Sequence, residues 1–404
     1  MRKIVAYEYE SIRFSKEEID SGILDSLLRF NELHSNKYFD GISKGIKLKQ
    51  FVGIIQVQDL TIEILPKIDK ESNSEEGWRN VLIQMLKSTG RLKVDTSGSA
   101  NVSKQNFNLL EIYFELFLRN LDSIIHSGLI KKYRFQTGNL NALKGKINFA
   151  GNIRKNLVHR ERFYTTHQVY DVDHTIHQVL SEALEVVSQF SHGTRLNDTC
   201  RRVQLEFPEV QSINVNEQTF NSIKLNRKSA HYKEALELAR LIILNYSPDI
   251  KSGKEKMLSI LFDMNSLWEE YVLSTLRKEC RGTNTKVRGQ SSKKFWNTST
   301  IRPDIVIEKA DGEVIVVDTK WKRLKSSTAS VNDLRQMYAY GRFWNAEKVM
   351  LLYPGDQSSK EYSPYLNQDL DVTNHKCRLG FVSVLDSEGK LDKTIGEEIL
   401  ALTA

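Results

Sequence analysis

Cysteine is scarce in this chain: Cys200, Cys280 and Cys377 are the three in 404 residues, far apart and without a C-x-x-C spacing. That excludes a zinc ribbon and a disulfide framework and suits a reducing compartment, so a cytoplasmic location is expected. Long apolar runs are missing too. No stretch approaches about eighteen apolar residues, so no membrane span is expected. The opening segment from Met1 to Glu10 carries no apolar signal core. A phosphate-binding loop is also absent. Gly138 to Lys146 ends in Gly145-Lys146 but lacks a following Ser or Thr, so the chain itself is expected to bind no nucleotide.

What is present is ordinary for a globular protein, with 40% hydrophobic and 27% charged residues. The length allows two or three domains, each with its own core. A net charge of +7 is only a weak pointer to a polyanionic partner; its placement says more. Lys286, Arg288, Lys293 and Lys294 lie in one cluster and Lys322, Arg323 and Lys325 in a second, with Phe295, Trp296 and Trp321 interleaved. Such clusters would neutralise DNA phosphates and make affinity fall with salt; the plainer reading is a solvated basic face.

Along the chain, residues 1 to about 70 alternate in the manner of strands, with a hairpin turning near Gln58-Asp59 and a helix from Lys16 to His34. The polar run Asp69 to Gly77 reads as a loop. Helical periodicity follows at Trp78 to Leu86 and from Phe107 to Ile124, then an extended patch at Tyr133 to Phe149. Further helices are expected at Asp173 to Phe190, with Asp173 as the N-cap, at Tyr232 to Tyr246, at Met264 to Val272 and at Asn332 to Tyr340. Arg281 to Thr300 reads as a loop that orders on DNA. The expected fold class is α+β multidomain: a β-rich domain over 1–100, a mainly helical middle over 101–254, and an α/β domain over 255–404. His167, His174 and His177 with Asp171 and Asp173 are rejected as a metal cluster.

The chemistry concentrates between the two basic clusters. Arg302-Pro303-Asp304-Ile305-Val306-Ile307 is followed, fourteen residues after Asp304, by Asp318-Thr319-Lys320. Val306-Ile307-Glu308 and Val314 to Val317 are short β-branched runs around Asp311-Gly312, which is a hairpin signal. A two-residue turn would set Asp304 opposite Thr319; a four-residue loop from Lys309 to Gly312 would set it opposite Val317. Strand side chains alternate, so Asp318 and Lys320 share a face. Two carboxylates and an amine at a hairpin rim fit a magnesium-dependent phosphodiesterase, because Mg2+ takes oxygen ligands and keeps several waters. Asp304 and Asp318 would supply oxygens, the Thr319 carbonyl a third, and Glu269 on the preceding helix would reach toward the ion. Lys320 would orient the attacking water or stabilise charge on the phosphorane. Taken singly, a D-x-K on a strand edge is a solvated pair and a P-D is a turn; the argument rests on their order.

That order resembles the PD-(D/E)xK nuclease superfamily, and the wider chain resembles the McrC family, the nuclease subunits of McrBC-type methylcytosine-dependent restriction systems. The matching residues in the catalytic half are Leu267-Trp268-Glu269-Glu270-Tyr271-Val272, Arg302-Pro303-Asp304-Ile305, Val317 to Lys322, and Leu334 to Tyr340. Leu143-Lys144-Gly145-Lys146-Ile147-Asn148-Phe149-Ala150 with Ile153-Arg154 is similar to the family's K-G-[KR]-I-x-F-A-x-x-I-R stretch, and Gly53 to Val57 with Thr61 to Ile68 to its amino-terminal β-domain. The resemblance implies that Gln336 and Tyr340 face the active site or the phosphate backbone. It further implies a separate AAA+ GTPase of McrB type that recognises modified cytosine, on which this subunit docks through its amino-terminal region, stimulates GTP hydrolysis and cuts double-stranded DNA. Two other readings stay open: a stand-alone nuclease in repair or restriction, and a non-catalytic DNA-binding activator of a motor.

Overall fold

Helix and strand in this chain follow where apolar side chains find a face to bury. The computed structural model describes residues 2–17, 22–66, 75–92, 109–248, 256–324 and 328–403. Lys325, Asp69 to Ser74 of the expected loop, residues 18–21 of the expected first helix and Phe107 lie outside the described residues.

The chain forms two compact units: Met1–Leu109 with Leu261–Ala404, and Leu110–Ile260. This departs from the three consecutive domains expected, because the amino-terminal segment packs with the carboxyl-terminal one. In the first unit, Arg2–Tyr7 runs parallel to Leu60–Leu65, which pairs antiparallel with Phe51–Val57 through a two-residue turn at Gln58-Asp59. Helix Glu75–Ser88 buries Trp78, Val81, Leu82, Met85 and Leu86 and packs on helix Met264–Glu279. Arg91 makes two hydrogen bonds of 2.7 and 2.6 Å to Glu270, tying the two segments covalently distant in sequence.

Glu63 in that sheet is 1% exposed, a position a carboxylate occupies only when paired. Arg79 donates to both of its oxygens at 2.7 and 2.6 Å, and Lys3 lies 2.8 Å away. These partners outweigh burial and hold its carboxyl below the usual range. Arg79→Ala is expected to cost about 3–5 kcal/mol, since it strands a buried charge; urea denaturation measures it.

The carboxyl-terminal part of this unit is a six-stranded mixed sheet in the order Lys286–Gly289, Ile305–Glu308, Val314–Thr319, Lys348–Pro354, Val372–Val382, Ser363–Leu366. Val314–Thr319, Lys348–Pro354 and Val372–Val382 are mutually parallel. Helix Val331–Trp344 covers one face with Met337, Tyr340 and Trp344 against Val316, Val349 and Leu351.

The second unit is less purely helical than expected. Helices Thr175–Ser191, Asn197–Glu206 and Lys233–Leu244 pack together. Beside them in sequence stands a three-stranded antiparallel sheet, Lys132–Leu140, Phe163–Asp171 and Lys146–Ile147. Gly145 of the K-G-K stretch has φ 73°, and a Cβ there would meet the Thr166 carbonyl at 2.4 Å, so only glycine fits. The expected N-cap is corrected: His174 occupies that position without a side-chain cap. Asp173 instead accepts from Gln178 Nε2 at 2.8 Å and Gln211 N at 3.1 Å, and sits 3.2 Å from Arg134. His177 donates from Nδ1 to the Val172 carbonyl at 2.7 Å, which leaves Nε2 to accept from the Tyr232 hydroxyl at 3.0 Å. Burial, with His174 adjacent, pushes its pKa down to about 4, so this imidazole is a neutral core group.

Candidate active site

The hairpin decides where the acidic side chains meet. Ile305 pairs with Val317 and Glu308 with Val314, which makes the loop Lys309 to Glu313 and sets Asp304 level with Asp318. That register falls between the two anticipated ones. The loop is closed by Lys309 N to Glu313 O at 2.9 Å and Gly312 N to Lys309 O at 3.1 Å, and Gly312 takes φ 88°, a turn conformation glycine adopts without strain.

Asp304 is oriented by its neighbours. Its Oδ2 accepts from Thr319 N at 2.7 Å and Thr319 Oγ1 at 2.9 Å, and its carbonyl accepts from Gln290 N at 2.8 Å. Among the described residues, Asp304 Oδ1 has no donor. Thr319 is therefore a residue that holds Asp304 through its amide and hydroxyl. Asp318 is 2% exposed. Its Oδ2 lies 2.7 Å from Lys320 Nζ but has no partner in hydrogen-bonding geometry. Lys320 Nζ also reaches Gln336 Oε1 at 3.5 Å; Gln336 Nε2 donates to the Tyr340 hydroxyl at 2.8 Å, which donates to the Arg302 carbonyl at 3.0 Å. A chain of contacts thus runs from the lysine back to the residue before Pro303-Asp304.

These charges strain against one another. Burial, followed by the charge of Asp304, pushes the Asp318 carboxyl up to about 6, even with Lys320 beside it. Burial likewise raises Asp304. Glu269 is raised by burial and by Asp304. For Lys320, burial pulls down but Asp318 outweighs it, with Asp333 and Asp304 adding, so the amine stays charged. Buried carboxylates that resist ionisation, with oxygens lacking donors, form a donor set suited to a hard divalent cation. Asp304 and Asp318 fit that role. Glu269 fits it less closely than expected. Its Oε1 accepts from Gln290 Nε2 at 2.8 Å, and the three carboxylates do not close to within 4.8 Å of each other, a spacing reached among the described residues by Asp122, His126 and Glu206. That other group is an ion-pair cluster: Arg202 lies 2.7 Å from Asp122 and 3.3 Å from Glu206.

The expected DNA-binding residues divide. Lys286, Lys294 and Arg323 are exposed. Arg288 pairs with Glu308 at 3.1 Å and Lys322 with Asp333 at 2.9 Å, both exposed pairs that salt weakens. Lys293 Nζ donates to the Phe343 carbonyl at 2.7 Å. Tyr340 is 5% exposed and serves as an internal strut, so a backbone-contacting role is corrected; Gln336 is the member of that helix pair that meets Lys320. The expected loop Arg281 to Thr300 instead holds the edge strand Lys286–Gly289 and a hairpin of Lys293–Trp296 with Ser299–Ile301. The strand Lys293–Trp296 is exposed throughout and carries no apolar alternation to reveal it, and Lys286–Gly289 is too short and too polar to stand out, although Val287 and Gly289 are half-buried.

Trp321 is also corrected. It is 4% exposed, its indole N–H donates to Glu8 Oε1 at 2.7 Å, and its ring centroid lies 5.3 Å from that of Trp268. Glu8, from the turn after the first strand, thereby braces the residue next to Lys320. No sequence signal marked it, since more than three hundred positions separate the partners. Glu8→Ala leaves a buried indole N–H without its acceptor and is expected to cost about 1–3 kcal/mol, read by chemical denaturation. Gln290 was missed as well; its φ of 50° turns the backbone so that its amide reaches Asp304 and its side chain Glu269.

The sequence model of the family described as "McrBC 5-methylcytosine restriction system component" matches residues 46–354. The type IV methyl-directed restriction enzyme EcoKMcrBC of Escherichia coli (strain K12) is 20% identical over 304 residues, 68% of this chain and 85% of that protein. A chain in the assembly of Thermococcus gammatolerans McrB AAA+ hexamers with bound McrC superposes with a TM-score of 0.71 at 19% identity, covering 99% of this chain and 100% of that one. A chain of the Thermococcus gammatolerans McrBC complex gives 0.50 at 19% identity, over 68% of this chain and 87% of that one.

Proposed function

The chain belongs to the family of McrBC 5-methylcytosine restriction system components, and from that premise we propose that it is the DNA-cleaving subunit of a two-component restriction complex. The observation that carries this reading is Asp318. It is a buried carboxyl whose pKa burial and Asp304 push up to about 6, at a hairpin rim where Lys320 lies 2.7 Å away. Pro303-Asp304, the hairpin and Asp318-x-Lys320 on the sheet described above support a PD-(D/E)xK nuclease arrangement. Asp304 and Asp318 would hold Mg2+, with Glu269 acting at longer range. When bound, the ion polarises a phosphate and makes a coordinated water more acidic. Lys320, fixed by Gln336 and through it by Tyr340, places a positive charge where negative charge develops on the phosphate. Thr319 and Gln290 keep Asp304 aimed at the rim.

The partner proposed is a AAA+ GTPase of the McrB kind. The full-length likeness to a chain from an assembly of McrB hexamers with bound McrC supports it. Double-stranded DNA carrying modified cytosine is the proposed substrate, recognised by the partner. The test is to co-purify the chain with the AAA+ protein and assay cleavage of methylated and unmethylated DNA with Mg2+ and GTP. Cutting that needs both proteins, methylation and Mg2+ is expected. Robust cutting by the isolated chain with Mg2+ alone would favour a self-contained nuclease. GTPase stimulation with no cutting under any condition would favour a non-catalytic activator.

A further inference from the structure

From Cys280 to Pro303 the chain contains Arg281, Lys286, Arg288, Lys293, Lys294 and Arg302 and not one acidic residue. The centre of this run is the hairpin Lys293–Trp296 with Ser299–Ile301, and every residue from Ser292 to Thr300 is exposed. A two-stranded ribbon is marginal by itself, so its order comes from its base. Ile301 packs against the core under helix Val331–Trp344. Lys293 Nζ donates to the Phe343 carbonyl and lies 4.8 Å over the Trp344 ring. Phe295 sits against Phe343 with centroids 5.3 Å apart. Gln290, just before the hairpin, is hydrogen-bonded to the Asp304 carbonyl.

Trp296 is treated differently. It is 71% exposed and makes no ring contact among the described residues. The pairing register shifts between Lys294 and Trp296, and a bulge of this kind re-aims side chains beside functional sites. Here Phe295 anchors on the helix while the next residue stays in solvent. A large indole at the tip of a braced ribbon, inside an acid-free basic run that leads directly into Asp304, has the charge and shape for a polyanion with flat faces. A protein partner would be served by mixed charge around the aromatic group, which this run lacks.

We propose that Trp296 is a DNA-contacting wedge that stacks on a base or inserts at a base step of the duplex held at the Asp304–Asp318 site. The proposal rests on the nuclease reading above for its substrate and names how that substrate is gripped. Ser299, the pairing partner of Trp296, precedes Asp304 by five residues, so their Cα atoms lie at most about 17 Å apart at strand rise, and the cross-strand step to Trp296 adds about 5 Å. Trp296 therefore touches the duplex within about seven base pairs of the cleaved phosphate, at 3.4 Å per base pair. Lys294, exposed two residues before it, would meet the DNA backbone, and apolar wedges with basic neighbours are a recurrent way of seizing a duplex.

The test is binding of the full chain to a short fluorescein-labelled duplex, without divalent cations, together with a series of duplexes carrying 2-aminopurine at successive positions. Wild type should brighten 2-aminopurine at one position. Trp296→Ala should abolish that signal and weaken binding by roughly five- to a hundredfold, with the salt slope unchanged because no charge is lost. Trp296→Phe should recover most of both. Lys294→Ala, by contrast, should flatten the salt slope. The proposal is overturned if Trp296→Ala binds and brightens as wild type does, or if its DNA binding is intact and co-purification with the AAA+ partner is lost instead. Binding is read without cleavage. If Asp318→Ala still cuts normally while Trp296→Ala loses DNA, the catalytic assignment falls and the wedge stands.

Discussion

Asp318→Asn is expected to lower DNA cleavage by the partnered chain by roughly a thousandfold and, in the same protein, to raise thermal stability above pH 6. The two effects have one cause. Burial and the charge of Asp304 push the Asp318 carboxyl up to about 6, against about 4 in an unfolded chain. Between those values the folded protein binds more protons than the unfolded one, so stability falls as pH rises through that window. Asparagine has no charge to bury and escapes the loss. Thermal midpoints in chelator from pH 5 to pH 8 should therefore diverge in favour of the variant as pH increases. Adding Mg2+ should raise the wild-type midpoint by mass action and leave the variant unmoved. A variant that cut at the wild-type rate would remove Asp318 from the reacting phosphate.

Lys320→Ala is expected to lower the cleavage rate by about a hundred- to a thousandfold even at saturating Mg2+, with partner GTPase stimulation intact. Lys320 is the cation 2.7 Å from Asp318 and one of the groups that hold its pKa down. Without it the Asp318 carboxyl rises further, so the pH at which the ion is captured should move upward. Raising pH should then restore Mg2+ binding, measured calorimetrically, without restoring the rate. Restored cutting at saturating Mg2+ would leave Lys320 with a purely electrostatic service to Asp318 and no part in the chemical step. Arginine should not substitute well, since its planar fork cannot occupy the compact position of the ammonium beside Asp318 and Gln336.

The cluster of Asp304, Asp318 and Lys320 was readable because its signals are local. The β-branched run Val314 to Val317 and the Asp311-Gly312 turn fix a hairpin within about one register step, and any such register brings Asp304 to Asp318. The sequence left two registers, and the five residues from Lys309 to Glu313 adopt a loop between them through the bond from Lys309 N to Glu313 O. Helices with one wide apolar face, such as Glu75–Ser88 and Thr175–Ser191, were legible for the same reason. Exposed strands were not, because Lys293–Trp296 buries neither face and leaves no periodic trace.

Sequence by itself settled which side chains meet: Asp304, Asp318 and Lys320 are gathered by a short hairpin, a contact of low sequence separation. Tertiary structure alone decided what surrounds that cluster. Glu8 meets Trp321 and Tyr340 turns inward to Arg302 because burying indole and phenol demands partners wherever the fold supplies them, while Arg91 meets Glu270 in a half-exposed pair. No local pattern records those long-range satisfactions. They also explain why the amino-terminal segment and the six-stranded sheet form one unit although the helices and sheet of residues 110–260 lie between them in the chain.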